Sequence, residues 1–516
     1  MESRGAAAPG TAPKTGGKGL KSNAIGFVDA LIIGIASTAP AYSLAAVLAI
    51  VVLGVGVQAP AVLLVSFVPM FLIASAFFYM NRADPDCGTS FSWVTRAMGP
   101  SMGWIGGWAI CTTGILVIGS LADVGAFYTF DLFGLDGLRD SKTAVTIFAI
   151  VIIIAMTAIC VLGTELSALV QRVMIGAQVT ALLVFAAVAI FKVATGDGAA
   201  GSIDPELAWF SPFAVDSFNA LVLGMLTGVF IYWGWESAVN LNEETSDSDS
   251  TPGKAAIVST VLLLVTYVAV ATAIVAYAGL GRVGEFEDDP GIFGAIATDV
   301  LGSPLDLIVV LAIVTSAIAS TQTTILPASR TSLSMARQGA FPAALGKIHP
   351  RFLTPHVASI TIGVIAVVWY AVFNTLSQNF LFDSLTALAL MIAFYYALTG
   401  FACAIFYRRE LTKSASNFLF IGVGPVLGGL ILSGLFVKAI FEYSKVEDSY
   451  SGDALFGIAI PVVLGLGLLL VGVVLMLVWR FTPGHQDYFG RKTGIVDPEV
   501  AAGRKAGFAA VSEEAV

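Results

Sequence analysis

The sequence predicts an all-α, polytopic membrane protein of about twelve crossing helices, the first and sixth of them interrupted. Composition is the first of three observations behind this. The 516 residues are 57% hydrophobic and 12% charged, with mean hydropathy +0.88, whereas about a quarter of a soluble domain is charged. Second, about twelve apolar runs approach the roughly 20 residues a spanning helix needs. Third, two of those runs are broken in the middle, at Gly34-Ile35-Ala36-Ser37-Thr38-Ala39-Pro40 and at Phe230-Ile231-Tyr232-Trp233-Gly234-Trp235-Glu236-Ser237-Ala238. A bilayer tolerates broken helix only where the freed backbone groups line a polar cavity or are buried in protein. It tolerates an ionisable side chain mainly where that group has a function.

Residues 1–20, rich in Gly, Ala, Pro and Lys, are predicted to be a disordered tail. Spans follow near 24–53, 58–80, 102–130, 142–162, 168–192, 218–242, 255–280, 302–330, 356–374, 381–406, 417–442 and 456–480. Gly291 to Val300 is apolar but too short to cross, and is expected to lie as a helix on the outer mouth. Spans 1–5 and 6–10 each begin with an interrupted helix, the pattern of two inverted five-helix repeats around a shared binding site. They divide a core over 21–410 into halves of about 21–195 and 215–410. Residues 411–482 then hold peripheral helices 11 and 12, and 483–516 a polar cytoplasmic tail. With the amino terminus inside, the outer side holds only Arg139, Lys142, Lys192, Arg282, Lys438 and Lys445, against twenty Lys and Arg inside. That bias predicts both termini in the cytoplasm.

Several function classes are excluded. The net charge of −9 comes from acids clustered in loops, which argues against a nucleic-acid partner. Cys87, Cys111, Cys160 and Cys403 have no metal or disulfide spacing. His349, His356 and His485 fall in polar segments. No nucleophile, base and metal set converges, so neither an enzyme nor a bound cofactor is expected. A channel would need a polar stripe or charge ring, and a sensor an appended domain; the sequence has neither.

Three separated stretches carry a resemblance. After span 2 the chain reads Asn81-Arg82-Ala83-Asp84-Pro85-Asp86-Cys87-Gly88-Thr89-Ser90-Phe91-Ser92-Trp93-Val94, continuing to Trp104-Ile105-Gly106-Gly107-Trp108. After span 8 it reads Ser334-Met335-Ala336-Arg337-Gln338-Gly339-Ala340-Phe341-Pro342, then His349-Pro350-Arg351-Phe352 and Thr354-Pro355. With Gly234-Trp235-Glu236-Ser237-Ala238, these resemble the amino acid–polyamine–organocation (APC) permeases over roughly residues 22–410. The resemblance implies a leucine-transporter-type fold and alternating access. It implies a plasma-membrane carrier whose substrate is an amino acid, a polyamine or a related small amine, moved by proton or sodium coupling or by exchange. Amino acids driven by a proton gradient are the leading expectation. A polyamine or other amine carrier or exchanger, and a sodium-coupled amino acid transporter, are the alternatives. Membrane lipid and the small-molecule substrate are the expected partners, and the oligomeric state stays open.

The residues themselves suggest how such a site works. Free N–H groups around Ser37, Thr38 and Ala39, at the start of a half-helix opened by Pro40, suit a substrate carboxylate. Carbonyls near Ile35 and Ala36, and near Phe230, Ile231 and Tyr232, suit an ammonium. A proline kink healed by the Ser37 and Thr38 hydroxyls is the bland alternative. The family commonly has G-x-I-x-G-[ST]-G here, from which this chain departs. Gly234 permits close backbone approach. Phe230, Trp233 and Trp235 are candidate gates, Phe230 at the position of a gating aromatic in related exchangers. A cation–π contact from such rings suits an ammonium.

Glu236 matches the glutamate of a G-V-E-S-A segment that resembles a proton sensor. Desolvation favours its neutral form, which suits proton coupling, while a structural cap for the broken helix is the alternative. Where some proton-coupled relatives have a lysine, this chain has Gln178. Thr315, Ser316, Ser320 and Thr321 form a possible cation site, against plain helix packing; the proton is favoured over sodium. Cys111 and Thr112 are expected to line the side-chain pocket, and Asp123 to lie at the outer mouth. Tyr395 and Tyr396 are candidates for an outer gate, and Asp29, Arg82, Arg330 and Arg337 for cytoplasmic gate pairs.

Overall fold

Pro40 breaks the first apolar run as its chemistry demands. Proline supplies no N–H and disfavours helical geometry in the residue before it. In the computed structural model, which describes residues 17–285, 291–376, 380–446, 451–483 and 485–490, α1 (Phe27–Thr38) therefore ends two residues before the proline. Ala39 takes a left-handed conformation (φ 48°, ψ 62°), and α2 (Pro40–Val55) starts with proline at its first position.

The chain continues through α3 (Ala59–Ala83), α4 (Ser90–Met98), α5 (Pro100–Leu132), α6 (Asp136–Arg139), α7 (Lys142–Leu162) and α8 (Thr164–Thr195). The second half runs α9 (Phe218–Ile231), α10 (Ser237–Asn240), α11 (Thr251–Gly284), α12 (Ile292–Leu301), α13 (Leu307–Arg337), α14 (His356–Leu376) and α15 (Phe380–Phe406). It ends in α16 (Ala415–Asn417), α17 (Gly424–Glu442), α18 (Ile460–Phe481) and α19 (Gln486–Phe489). A two-residue hairpin, β1 (Ala454–Leu455) and β2 (Ile458–Ala459), precedes α18.

Ten helical stretches among the described residues are long and apolar enough to cross a membrane. The first, Phe27–Ala83, has 57 residues and contains both α1–α2 and α3. The sixth expected span appears as the short pair α9 and α10. Its break at Tyr232–Glu236 leaves α9 only 14 residues long. Helices α5 and α13 form the buried centre, packed along each other. Helices α7, α14 and α18 keep apolar outer faces, with Ile147, Ile154, Val364, Val368, Val474 and Val478 exposed. The expected helix near Gly291 to Val300 exists as α12, but its Phe293, Ile296 and Ala297 are fully buried in the bundle.

The amino-terminal tail corrects the expectation of disorder to residue 20; residues 1–16 lie outside the described residues. Leu20 is fully buried beside Cys87 and Leu333. The Lys18 ammonium pairs with Asp86 at 2.9 Å and with Glu243, and its carbonyl accepts from Arg337 at 3.3 Å. Ile25 forms a bridge with Thr245. The segment thus straps the loop before α4 to the loop after α10. Next to it Arg330, fully buried, grips Glu244 with two hydrogen bonds of 2.9 and 3.3 Å, and Arg96 pairs with Asp84. Asp29 pairs with Arg172. At the other terminus the predicted polar tail instead contributes α19, whose buried Tyr488 bonds Pro100 and Thr95; residues 491–516 lie outside the described residues.

Burial opposes the charge on Lys18, but Asp86, Cys87 and Glu243 together push its ammonium above the ordinary value. Burial likewise opposes the Asp86 carboxylate, yet Lys18 and donors from Gly88 and Ser334 lower it to about 2. A depressed acid contributes stability that is complete above its ordinary 3.8 and is lost as pH falls through about 2. A raised base contributes stability that is complete below its ordinary 10.5 and is lost as pH rises through its folded value. The melting-temperature difference between wild type and Lys18→Ala is therefore expected to stay flat from about pH 4 to about pH 10. It should shrink as the pH falls further. Maleimide labelling of Cys87, which lies buried under Lys18, should accelerate in the same variant.

Candidate functional site

The two helix breaks touch. Gly34 of α1 faces the Trp235 carbonyl and Ala238, and Gly234 (φ 118°) lies against the Ser37 backbone. Ser37 and Ser237 share a 2.7 Å hydroxyl hydrogen bond. Around this junction sits a cavity of about 10 Å³, room for about one water. Ser37, Thr38, Ala39 and Tyr42 line one side and Phe230 and Trp233 another, with Val117 and Leu121 of α5 and Ser320 of α13 completing it.

Most backbone groups freed at the breaks already have partners. The Thr38 hydroxyl donates to the Gly34 and Ile35 carbonyls at 3.1 and 2.8 Å, so the healed-kink alternative describes part of the break. The Ser37 carbonyl accepts from Ser320 at 3.0 Å, and the Ile231 carbonyl from Tyr267 at 2.9 Å. The Tyr42 amide donates to Ser316 at 3.2 Å.

Glu236 is buried at the end of the break, as the residue that precedes α10, outside the cavity lining. Its carboxylate accepts from both the Tyr395 and Tyr396 hydroxyls of α15 and from the Gly234 amide at 3.1 Å. Trp233, which lines the cavity, donates its indole N–H to the Tyr395 oxygen. One hydrogen-bonded line therefore runs from cavity wall to carboxylate through Trp233, Tyr395 and Glu236. Tyr395 and Tyr396 hold the acid instead of forming the expected outer gate.

The other expected residues divide. Ile35 and Ala36 stay inside α1, and Ile231 and Tyr232 are buried, Tyr232 against Tyr267 and Phe67. Trp235 packs on Phe77 and Tyr396, away from the cavity. Cys111 and Thr112 are also off the pocket. Cys111 donates to the Ala328 carbonyl and meets Ser332, and Thr112 bonds its own helix at Trp108. Val117 and Leu121, one to three turns further along α5, take the lining position expected of them. Of the four hydroxyls on α13, Ser316 and Ser320 reach the break. Thr315 and Thr321 turn back to the Leu311 and Ala317 carbonyls.

Comparison with known proteins agrees with this architecture. Residues 25–483 match the amino acid permease family. The chain is 22% identical over 384 residues to the low-affinity putrescine importer PlaP of Escherichia coli (strain K12), covering 72% of this chain and 79% of that one. It is 22% identical over 412 residues to the branched-chain amino acid permease BcaP of Lactococcus lactis subsp. cremoris (strain MG1363), covering 75% and 83%. Among solved structures, MhsT in complex with L-phenylalanine superposes with a TM-score of 0.55 at 15% identity, covering 79% of this chain and 98% of that one. That likeness establishes the leucine-transporter-type fold with its two interrupted helices. Family match, relatives and fold converge, and the chain belongs to the amino acid permeases of the APC superfamily.

Proposed function

We propose that this transporter moves neutral, apolar amino acids across the cytoplasmic membrane by alternating access, driven by a proton gradient, with both termini in the cytoplasm. The observation that carries the reading is the cavity at the crossing of the two helix breaks, one wall of which is hydrogen-bonded through to Glu236. Among the described residues no carboxylate lines that cavity, and a diamine would need one for its second ammonium. Val117, Leu121, Phe230 and Trp233 offer an apolar wall for a side chain. The start of α2, opened by Pro40, offers a positive helix end to a carboxylate.

Protonation can reach the wall by simple accounting. An ionised carboxylate only accepts, and Glu236 accepts from Tyr395, Tyr396 and Gly234. The protonated acid must donate its own O–H, and of these partners only a tyrosine oxygen can receive it. The Tyr395 oxygen already accepts from Trp233. A proton donated from Glu236 to Tyr395 therefore arrives at the same oxygen as the indole N–H of Trp233, which borders the cavity.

Sodium coupling has less support, because of the four expected hydroxyls only Ser316 and Ser320 reach the break, while Thr315 and Thr321 turn back on their own helix. An amine carrier keeps one supporting observation, the carboxylate Asp123 in a second cavity. The test is uptake of radiolabelled leucine, phenylalanine, serine, lysine and putrescine into proteoliposomes, under proton and sodium gradients applied separately. Leucine or phenylalanine accumulating under the proton gradient is expected. Putrescine as the preferred solute, or accumulation under sodium alone, overturns the proposal.

A further inference from the structure

A second cavity lies beside the central one on another face of α5, bordered by Leu116, Gly119, Ser120 and Asp123 where Val117 and Leu121 border the first. Ser120 and Asp123 of α5, Tyr370 and Asn374 of α14, and Ser384 in the first turn of α15 supply its polar lining, and it too has room for about one water (about 10 Å³). Asp123 lies 23 residues from Pro100, roughly 35 Å along the helix at about 1.5 Å per residue. Its carboxylate accepts from the Tyr370 hydroxyl, whose oxygen accepts in turn from Asn374 at 3.3 Å. Among the described residues no lysine or arginine lies within ion-pair distance of it. Ser384, 2% exposed, faces the same cavity with a hydroxyl that has no partner. A carboxylate without a counterion and a buried hydroxyl without a partner, aimed into one water-sized space, point to a small cation or proton passing through.

The two cavities are joined. Ser120 borders the second and Tyr42 the first, and their hydroxyls share a 2.8 Å hydrogen bond. We propose that Asp123 is the outer loading group for the coupling proton, delivered through a water in the second cavity and then Ser120 and Tyr42 to the central pocket. The inference rests on the proton-coupled reading above. In the transfer the Asp123 carboxyl gives up the proton it gained from the outer solution. Each hydroxyl accepts one proton and releases another, ending unchanged, and the Glu236 carboxylate gains one. The Trp233 indole only donates, so the last transfer, from the central cavity to Glu236, goes through the Tyr395 hydroxyl once its bond from Trp233 opens.

The titratable groups around Asp123 leave it this role. Tyr370 on α14 is in contact, and Lys142 at the start of α7 acts only at longer range. Tyr42 on α2 lies across Ser120, and Asp383 on α15 precedes Ser384. Arg139 on α6 is engaged by Asp131, Asp136 and Asp140. The charged residues of α13, Arg330 and Arg337, sit at its opposite end.

The test uses full-length protein in proteoliposomes. The probe is whichever of leucine, phenylalanine, serine or lysine the wild type exchanges fastest in counterflow, which needs no gradient. Asp123→Asn is expected to lose proton-driven accumulation and the dependence on outer pH while counterflow persists. Asp123→Glu should restore both, and Ser120→Ala should lose accumulation as Asp123→Asn does, which covers the case that Asp123→Asn does not fold. Asp123→Asn with wild-type accumulation and pH profile overturns the proposal. So does an equal loss of counterflow in Asp123→Asn, which would mark Asp123 as part of substrate passage or packing. If the wild type accumulates nothing under a proton gradient, the proton-coupled reading itself fails, an outcome distinguishable from failure of the Asp123 relay alone.

Discussion

Glu236→Gln is expected to abolish proton-driven accumulation while leaving the protein folded. Glutamine keeps the shape of glutamate and still accepts at one oxygen, from Tyr395 or from Tyr396 and Gly234, so the break between α9 and α10 stays partly held. It cannot bind and release a proton, and its amide N–H₂ adds donors to a cluster that already supplies three. The imposed proton gradient should then concentrate no solute inside the vesicles. Counterflow of the same solute should continue and lose its pH dependence. Should Glu236 act only as a cap for the broken helix, Glu236→Gln would instead lower the melting temperature and leave the accumulation ratio intact.

The second large effect is expected at Gly234. A Cβ built there lies 2.5 Å from the Ser37 carbonyl oxygen and 2.7 Å from its carbon. These are backbone atoms at the helix 1 break, with no flexible end to swing aside, and Gly234 also sits at φ 118°. Clash and conformational strain each cost on the order of 1–3 kcal/mol. Gly234→Ala should separate the two breaks, collapse the cavity and lower the melting temperature sharply, with no counterflow remaining. Gly176→Ala is the control. That position has an ordinary helical backbone and open space where the Cβ would go, so its melting temperature should hold or rise slightly. Equal melting curves for the two variants would mean that the breaks are not in contact.

Much of the fold was legible in the sequence because its signals are local. Apolar runs of spanning length locate the helices, and Pro40 and Gly234 locate the breaks, since each acts on its own backbone. Glu236 was legible for the same reason, as an acid inside an apolar run. Its partners were not: Tyr395 and Tyr396 stand 159 and 160 residues away. No periodicity within α15 distinguishes an acid-holding tyrosine from a gate.

Helix rotation was the other hidden quantity. Cys111 and Thr112 were placed by depth along α5, but depth does not say which way a side chain faces, and both turn out to face helices rather than the cavity. On α13, Ser316 and Ser320 are four residues apart and share a face, while Thr315 and Thr321 fall to either side. The sequence pattern contained both registers and did not choose between them. Lys18 was hidden differently, because a Gly, Ala and Lys-rich stretch reads as solvated until the acids it meets, Asp86 and Glu243, are brought together by the fold.

A proton-coupled carrier must move protons with its amino acid. Proteoliposomes loaded with a pH-sensitive dye, initially without any gradient and without sodium, would receive outer leucine or phenylalanine. The lumen should acidify in step with amino acid uptake, and Glu236→Gln should show no such acidification. Uptake that proceeds with no change in lumenal pH, or that requires sodium, would contradict proton coupling.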